Sequence, residues 1–155
     1  MKQNPSLNET PIDIVLPWVD GSDKAWQKCK AEYLNEPLAD AREERFRDWG
    51  VLKYVFRSIE TNLPWARTVH FVTWGHIPSW MNTECEKLHI VNHKDYIPEE
   101  YLPTFSANPI ELNIHRIEGL SEQFIYMNDD MFYMNPMSAE DFFKNGLPRS
   151  QAGLD

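Results

Sequence analysis

Phe124-Ile125-Tyr126-Met127-Asn128-Asp129-Asp130-Met131 is the stretch whose reading decides the fold. Its first four residues are apolar and aromatic, the composition of a short buried strand. The chain then passes straight into Asn128, Asp129 and Asp130, and on into a second apolar run from Met131 to Met134. Two adjacent carboxylates beside an apolar strand are costly unless something positive binds them. A divalent cation with a phosphorylated ligand meets that need. A plain strand-end turn, which Asn and Asp favour on their own account, is the equal alternative.

Upstream, Ile12 to Trp18 (Ile-Asp-Ile-Val-Leu-Pro-Trp) is β-branched and apolar and reads as a buried strand with Pro17 near its end. Val19-Asp20-Gly21-Ser22-Asp23 follows, an acidic loop where open α/β sheets place ligands. Asp23 also suits the N-cap of a helix from Lys24 to Asn35, and capping and ligand contact can coexist. Leu52, Val55, Phe56 and Ile59 recur at helical spacing, so a helix capped by Asp48 and stopped at Asn62-Leu63-Pro64 packs on the sheet. Thr68 to Trp74 and Leu88 to Val91 are two more strands, the latter followed by an Asn92–Asp95 loop. Alternation of strands with helical stretches predicts βα units and a mainly parallel sheet flanked by helices.

The remaining segments frame the acidic pair. Ile97 to Pro103 carries too much proline for regular structure and reads as an ordered loop. Ser106 to Arg116 reads as one helix opened by Ser106 or Asn108, which sets Glu111 and His115 four apart on one face. That pair is a surface contact unless its face looks toward Asp129 and Asp130. Arg45 and Arg47 flank Phe46, so one of them can meet an anionic ligand while the other is solvated. Ser138 caps a short helix through Phe143. His89 reads as an ordinary strand residue.

The chain has 155 residues, 42% hydrophobic and 13% aromatic, enough for one globular domain with its own core. A net charge of −9 argues against nucleic acid as a partner. Cys29 and Cys85 are far apart in no metal-like spacing and read as reduced thiols. Residues 1–11 read as a polar leader without the apolar centre of a secretion signal, 12–148 as the domain and 149–155 as a tail. No run is long enough to cross a bilayer. The expectation is a cytoplasmic protein, peripheral to a membrane only through partners.

Three stretches go beyond generic α/β: Ile12 to Asp23, ending in Trp-Val-Asp-Gly-Ser-Asp; Arg45 to Glu60, opening with Arg-Phe-Arg-Asp; and Ile90 to Met131, with Leu-Pro-Thr-Phe, Glu-x-x-x-His-Arg-Ile and Asn-Asp-Asp-Met. Together they closely resemble the Stealth family of sugar-1-phosphate transferases, in its first and second conserved regions and across most of residues 12–148. The resemblance implies a nucleotide-sugar-transferase core of GT-A or Rossmann-like type. It also implies transfer of a hexose-1-phosphate from a nucleotide-diphosphate sugar to a sugar hydroxyl of a polysaccharide or glycan, leaving a phosphodiester and a nucleoside monophosphate. Asp129 and Asp130 are then the metal candidates, for Mg²⁺ or Mn²⁺, with Asn128 beside them. Asp20, Gly21, Ser22 and Asp23 shape the donor pocket, with Arg47, Asp48, Asn108 and Glu111 as further contacts. Arg45 and His115 supply charge or proton transfer. The family's third and fourth regions do not follow, so the expectation is a C-terminally incomplete unit with weak or no activity alone. Two other readings remain: a metal-dependent GT-A-type glycosyltransferase and a non-catalytic nucleotide-sugar-binding module.

Overall fold

A computed structural model describes residues 10–35 and 50–149. Four strands form one wholly parallel sheet: β1 Ile12–Pro17, β2 Val69–Thr73, β3 Leu88–Asn92 and β4 Gln123–Tyr126. Their order is β3-β2-β1-β4. The chain therefore steps outward from β1 to β3, then returns past β1 to place β4 on its other side. In open α/β sheets, such a reversal opens a crevice at the carboxyl ends of the two strands concerned, here β1 and β4.

Alternation along each strand builds two cores, one per face. On one face Ile14 and Leu16 of β1 and Phe71 of β2 meet Leu52, Val55 and Ile59 of α2 (Leu52–Asn62). On the other, Val15, Val72 and Val91 meet Tyr96 and Ile97, then Ile110, Ile114 and Ile117. Burial on both faces explains why β1 reads as a nearly unbroken apolar run. Its exception is Asp13, fully buried, whose carboxylate accepts hydrogen bonds from Arg67 Nε at 2.8 Å and Ser121 N–H at 2.7 Å and contacts His70 Nε2 at 3.1 Å. His70 Nδ1 in turn meets His89 Nδ1 at 2.9 Å, so His89 is a strand residue tied to this network.

Several expectations need correction. The strand expected at Phe124 to Met127 forms as β4 but is only partly buried: it pairs with β1 alone among the described residues, Met127 just past it is buried, Phe124 and Ile125 are half-buried and Tyr126 is exposed. The second apolar run is also largely outside, with Met134 84% exposed. The helix expected from Ser106 to Arg116 breaks at Asn113, whose side-chain amide donates to Pro109 O at 2.8 Å. What forms is α4 (Ala107–Leu112), with Ser106 as N-cap rather than Asn108, and a separate 3₁₀ turn at Ile114–Arg116. The loop expected after β3 is a single helical turn, α3 (His93–Tyr96), because Asn92 and Asp95 form a reciprocal capping box. Ile97 to Pro103 contains one 3₁₀ turn, Glu99–Tyr101. Ser138 does cap, again with a reciprocal carboxylate, but the turn spans only Ala139–Asp141 before the β5–β6 hairpin, Phe143–Lys144 and Leu147–Pro148. The N-cap of α2 is Val51, without a side-chain bond; the cap assigned to Asp48 lies outside the described residues.

Candidate active site at the β1–β4 reversal

Both acidic loops leave the same edge of the sheet on neighbouring strands. Val15 stands opposite Tyr126, and Met127 N–H donates to Val15 O at 3.0 Å, so the last turns of β1 and β4 are held side by side. The loop after β1 is locked by its own side chains. Asp20 Oδ1 accepts from Ser22 N–H at 2.9 Å and from the Ser22 hydroxyl at 2.6 Å, an Asx turn. Asp23 Oδ1 accepts from Trp26 N–H at 2.8 Å and caps α1 (Lys24–Leu34), as its residue type predicts. Gln27 closes the loop by donating to Gly21 O at 2.8 Å. Asp23 Oδ2 is left facing His76.

After β4, Asn128 O accepts from Met131 N–H at 3.2 Å and turns the chain. The segment beyond is anchored on α2 and the turn that follows it: Asn62 Nδ2 donates to Tyr133 O, and Trp65 Nε1 to Met137 O at 2.7 Å. Asp129 is half-buried, and Asn128 and Asp130 are exposed. The Tyr126 hydroxyl donates to Glu111 Oε1 at 2.9 Å, joining α4 to the end of β4. Burial, then that bond, then the charges of Glu111 and Asp129 push the Tyr126 phenol well above its ordinary range, so it stays protonated. Glu111, Tyr126 and Asp129 thus share one electrostatic neighbourhood. His115 does not accompany Glu111, because the break at Asn113 moves it to the following turn, where it is exposed. Asn108 is an exposed residue of α4. Arg45, Arg47 and Asp48 lie outside the described residues.

Two residues that spacing did not single out sit at this edge. His76, after β2, accepts the Asp20 N–H through Nε2 at 2.8 Å. His93 opens α3 after β3. Burial, helped by the charge of His76, pushes the His93 pKa down to about 4. Both lie just past the carboxyl ends of parallel strands, a position that in principle marks them from sequence. An apolar groove of about 660 Å³ lies elsewhere, by α2 and the starts of β2 and β3, where Ala66, Val69 and Leu88 line it. Among the described residues, no three His, Cys, Asp or Glu side chains stand close enough to enclose a metal ion, and no helix is long and apolar enough to cross a membrane. Cys29 and Cys85 are unpaired, Cys29 half-buried and Cys85 exposed.

The model of Stealth protein conserved region 1 matches residues 10–36, and that of conserved region 2 matches residues 45–150. The chain belongs to the Stealth family. Among curated relatives, it is 47% identical over 143 residues to a capsular polysaccharide phosphotransferase WcwK of Streptococcus pneumoniae, a match covering 89% of this chain and 43% of that protein. It is 46% identical to the receptor polysaccharide phosphotransferase WefC of Streptococcus oralis, covering 92% and 45% respectively. Against the exopolysaccharide phosphotransferase cps2G of Lactiplantibacillus plantarum it is 44% identical, covering 91% and 42%. This Stealth chain thus spans less than half the length of these relatives. Its two matched regions meet in the fold: region 1 supplies β1 and the Asp20–Asp23 loop, and region 2 supplies β2 to β4 and the Asn128–Asp130 turn.

Proposed function

We propose that this chain forms the donor-binding part of a polysaccharide phosphotransferase. The reaction moves a hexose-1-phosphate from a nucleotide-diphosphate sugar to a hydroxyl of a capsular or exopolysaccharide glycan. The hydroxyl oxygen bonds to the sugar-bearing phosphorus, the pyrophosphate linkage breaks, and a nucleoside monophosphate leaves. The observation that supports this reading is the adjacency of the Asp20–Asp23 loop and the Asn128–Asp130 turn at the β1–β4 reversal. It carries weight because the relatives bear the names of polysaccharide phosphotransferases.

In this reading Asp20 to Asp23 seat the nucleotide sugar, and Asp129 and Asp130 would hold Mg²⁺ or Mn²⁺. The fit is that of an all-oxygen donor set offering two carboxylates, where Mg²⁺ characteristically takes its remaining ligands from phosphates and water. The cation would supply neutralisation of the diphosphate oxygens. Arg45 and Arg47 are assigned to the phosphate charge. The reaction belongs in the cytoplasm, with the nucleotide sugar and the glycan as partners.

The test is calorimetry of the chain with UDP- and GDP-hexoses, with and without Mg²⁺, for the native protein and for Asp129→Asn and Asp130→Asn. Each substitution is expected to remove the Mg²⁺-dependent part of binding while leaving the unfolding midpoint in place, because both sites are exposed or half-exposed. Any turnover is expected to yield nucleoside monophosphate. Release of nucleoside diphosphate, or Mg²⁺-dependent binding untouched by either substitution, refutes the reading.

A further inference from the structure

His76 links the loop after β2 to both acids of the loop after β1. Its Nε2 accepts the Asp20 N–H at 2.8 Å, so the proton of the neutral ring is on Nδ1. That Nδ1 faces Asp23 Oδ2 at 3.8 Å and has no hydrogen-bond partner among the described residues. The side chain is only 10% exposed. Neighbouring rings and backbone keep it in place. Trp18 stands edge-on to it at 5.2 Å and Trp74 is tilted against it at 6.0 Å. Gly75, at φ +123°, lets the preceding turn come so close to β3 that a Cβ there would stand 2.7 Å from Asn92 Nδ2. The loops after β2 and β3 are thereby pressed together, and His93 sits behind with both ring nitrogens buried and unpartnered among the described residues.

Such a ring is a conditional fastener. Neutral, it accepts the Asp20 N–H and presents an N–H to Asp23. Protonated, it has no lone pair for Asp20, and the loop loses that hydrogen bond to the residue after β2, leaving only the attraction between the charged ring and the acids. The charged or titratable groups facing it are Asp20 and Asp23 from the β1 loop and His93 from α3; Trp18 and Trp74 carry no charge. Burial favours the neutral ring and outweighs the pull of the two acids, so its pKa lies below the usual 6.5.

We propose that His76 is the positioning residue of the donor site: as the neutral Nδ1–H tautomer it holds the Asp20 N–H, and with it the loop, in the arrangement that receives the nucleotide sugar, and on protonation it gives up that bond while the charged ring still faces Asp23. This rests on the donor-site reading of the loop given above. The Asp20 carboxylate is already committed to Ser22, so the backbone bond to His76 is what ties this turn to the neighbouring strand.

Two measurements on the 155-residue chain decide it. Nitrogen-15 spectra of the imidazoles are expected to report the Nδ1–H tautomer for His76 at pH 7.5, with the Asp20 amide protected from exchange and that protection lost as the ring protonates below pH 6.5. Calorimetry with UDP- and GDP-hexoses across pH 5 to 8 is expected to show affinity falling in step with that titration. In His76→Gln the side-chain oxygen can accept the Asp20 N–H at every pH, so affinity is expected near the native value at pH 7.5 and flat below it. His76→Ala is expected to bind about tenfold more weakly at pH 7.5, the loss of one well-placed hydrogen bond. An Nε2–H tautomer, an unprotected Asp20 amide, a Gln variant that keeps the native pH profile, or an Ala variant that binds like the native chain overturns the proposal. If no variant binds any nucleotide sugar while the tautomer and the protected amide are as stated, the donor-site reading fails and the hold of His76 on the loop stands.

Discussion

Replacing Arg67 by Met strands a carboxylate at the centre of the sheet. Asp13 is fully buried on β1 and relies on the guanidinium for two of its hydrogen bonds, which leaves Ser121 N–H and His70 once Arg67 is gone. Burial alone pushes the Asp13 carboxyl up; the Arg67 bond, then those from Ser121 and His70, outweigh it and hold the group below its ordinary value of 3.8. Removing one partner of a buried pair costs about 3–5 kcal/mol. Arg67 is 43% exposed, so solvent screens part of that loss, and about 2–3 kcal/mol is expected at pH 7. At roughly 3 °C per kcal/mol for a chain of this size, the unfolding midpoint should fall by about 7 °C. The sign with pH is specific. A carboxyl held low contributes stability that is present above its unfolded pKa and lost as pH falls through the folded one. In Arg67→Met, burial raises the Asp13 pKa, so protonation relieves the strain and the gap to the native chain closes toward pH 3. Calorimetric scans from pH 7 to pH 3 measure it, and Asp13→Leu combined with Arg67→Met should recover most of the loss. A shift under about 0.5 kcal/mol at pH 7, within the range of an ordinary surface change, would refute the reasoning, as would a gap that does not change with pH.

Gly75→Ala is expected to lower stability by about 1–3 kcal/mol, because φ +123° disfavours any side chain and the added carbon meets Asn92; denaturant titration reads this directly. His93 is 3% exposed and its pKa is pushed down to about 4 from 6.5, so the unfolded chain binds the extra proton first as pH falls. The native chain should therefore lose about 3 kcal/mol of stability between pH 6.5 and 4 through this group, and His93→Phe should flatten that part of the pH profile in thermal melts.

Most of the architecture was legible because it rests on local pattern. Helical spacing of Leu52, Val55 and Ile59 places α2, and β-branched runs place β1, β2 and β3, since one-faced burial imposes period 3.6 and two-faced burial an apolar run. The cap at Asp23 was legible for the same reason, because its partner is three residues away. What failed depended on distant partners. The strand before Asn128 reads as buried because Phe124 and Ile125 are apolar, yet its position at the end of the sheet leaves them half-covered. The helix through Asn113 obeyed its periodicity on paper, but an Asn side chain that bonds back to Pro109 ends it, and the Glu111–His115 face goes with it.

By itself the sequence determined that this is an α/β chain with an acidic loop after its first strand and an acidic turn after its fourth, and that its motifs resemble the Stealth family. Tertiary structure alone decided that those two acidic segments leave neighbouring strands. It also decided that the Asp13 carboxylate is satisfied by Arg67 and Ser121, and that His76 reaches back to Asp20 across 56 positions. The division follows the range of the forces. Burial and capping act over a turn or a strand and leave a periodic trace, whereas strand order and the closure of a buried polar group join residues far apart, and no spacing in the chain records which will meet.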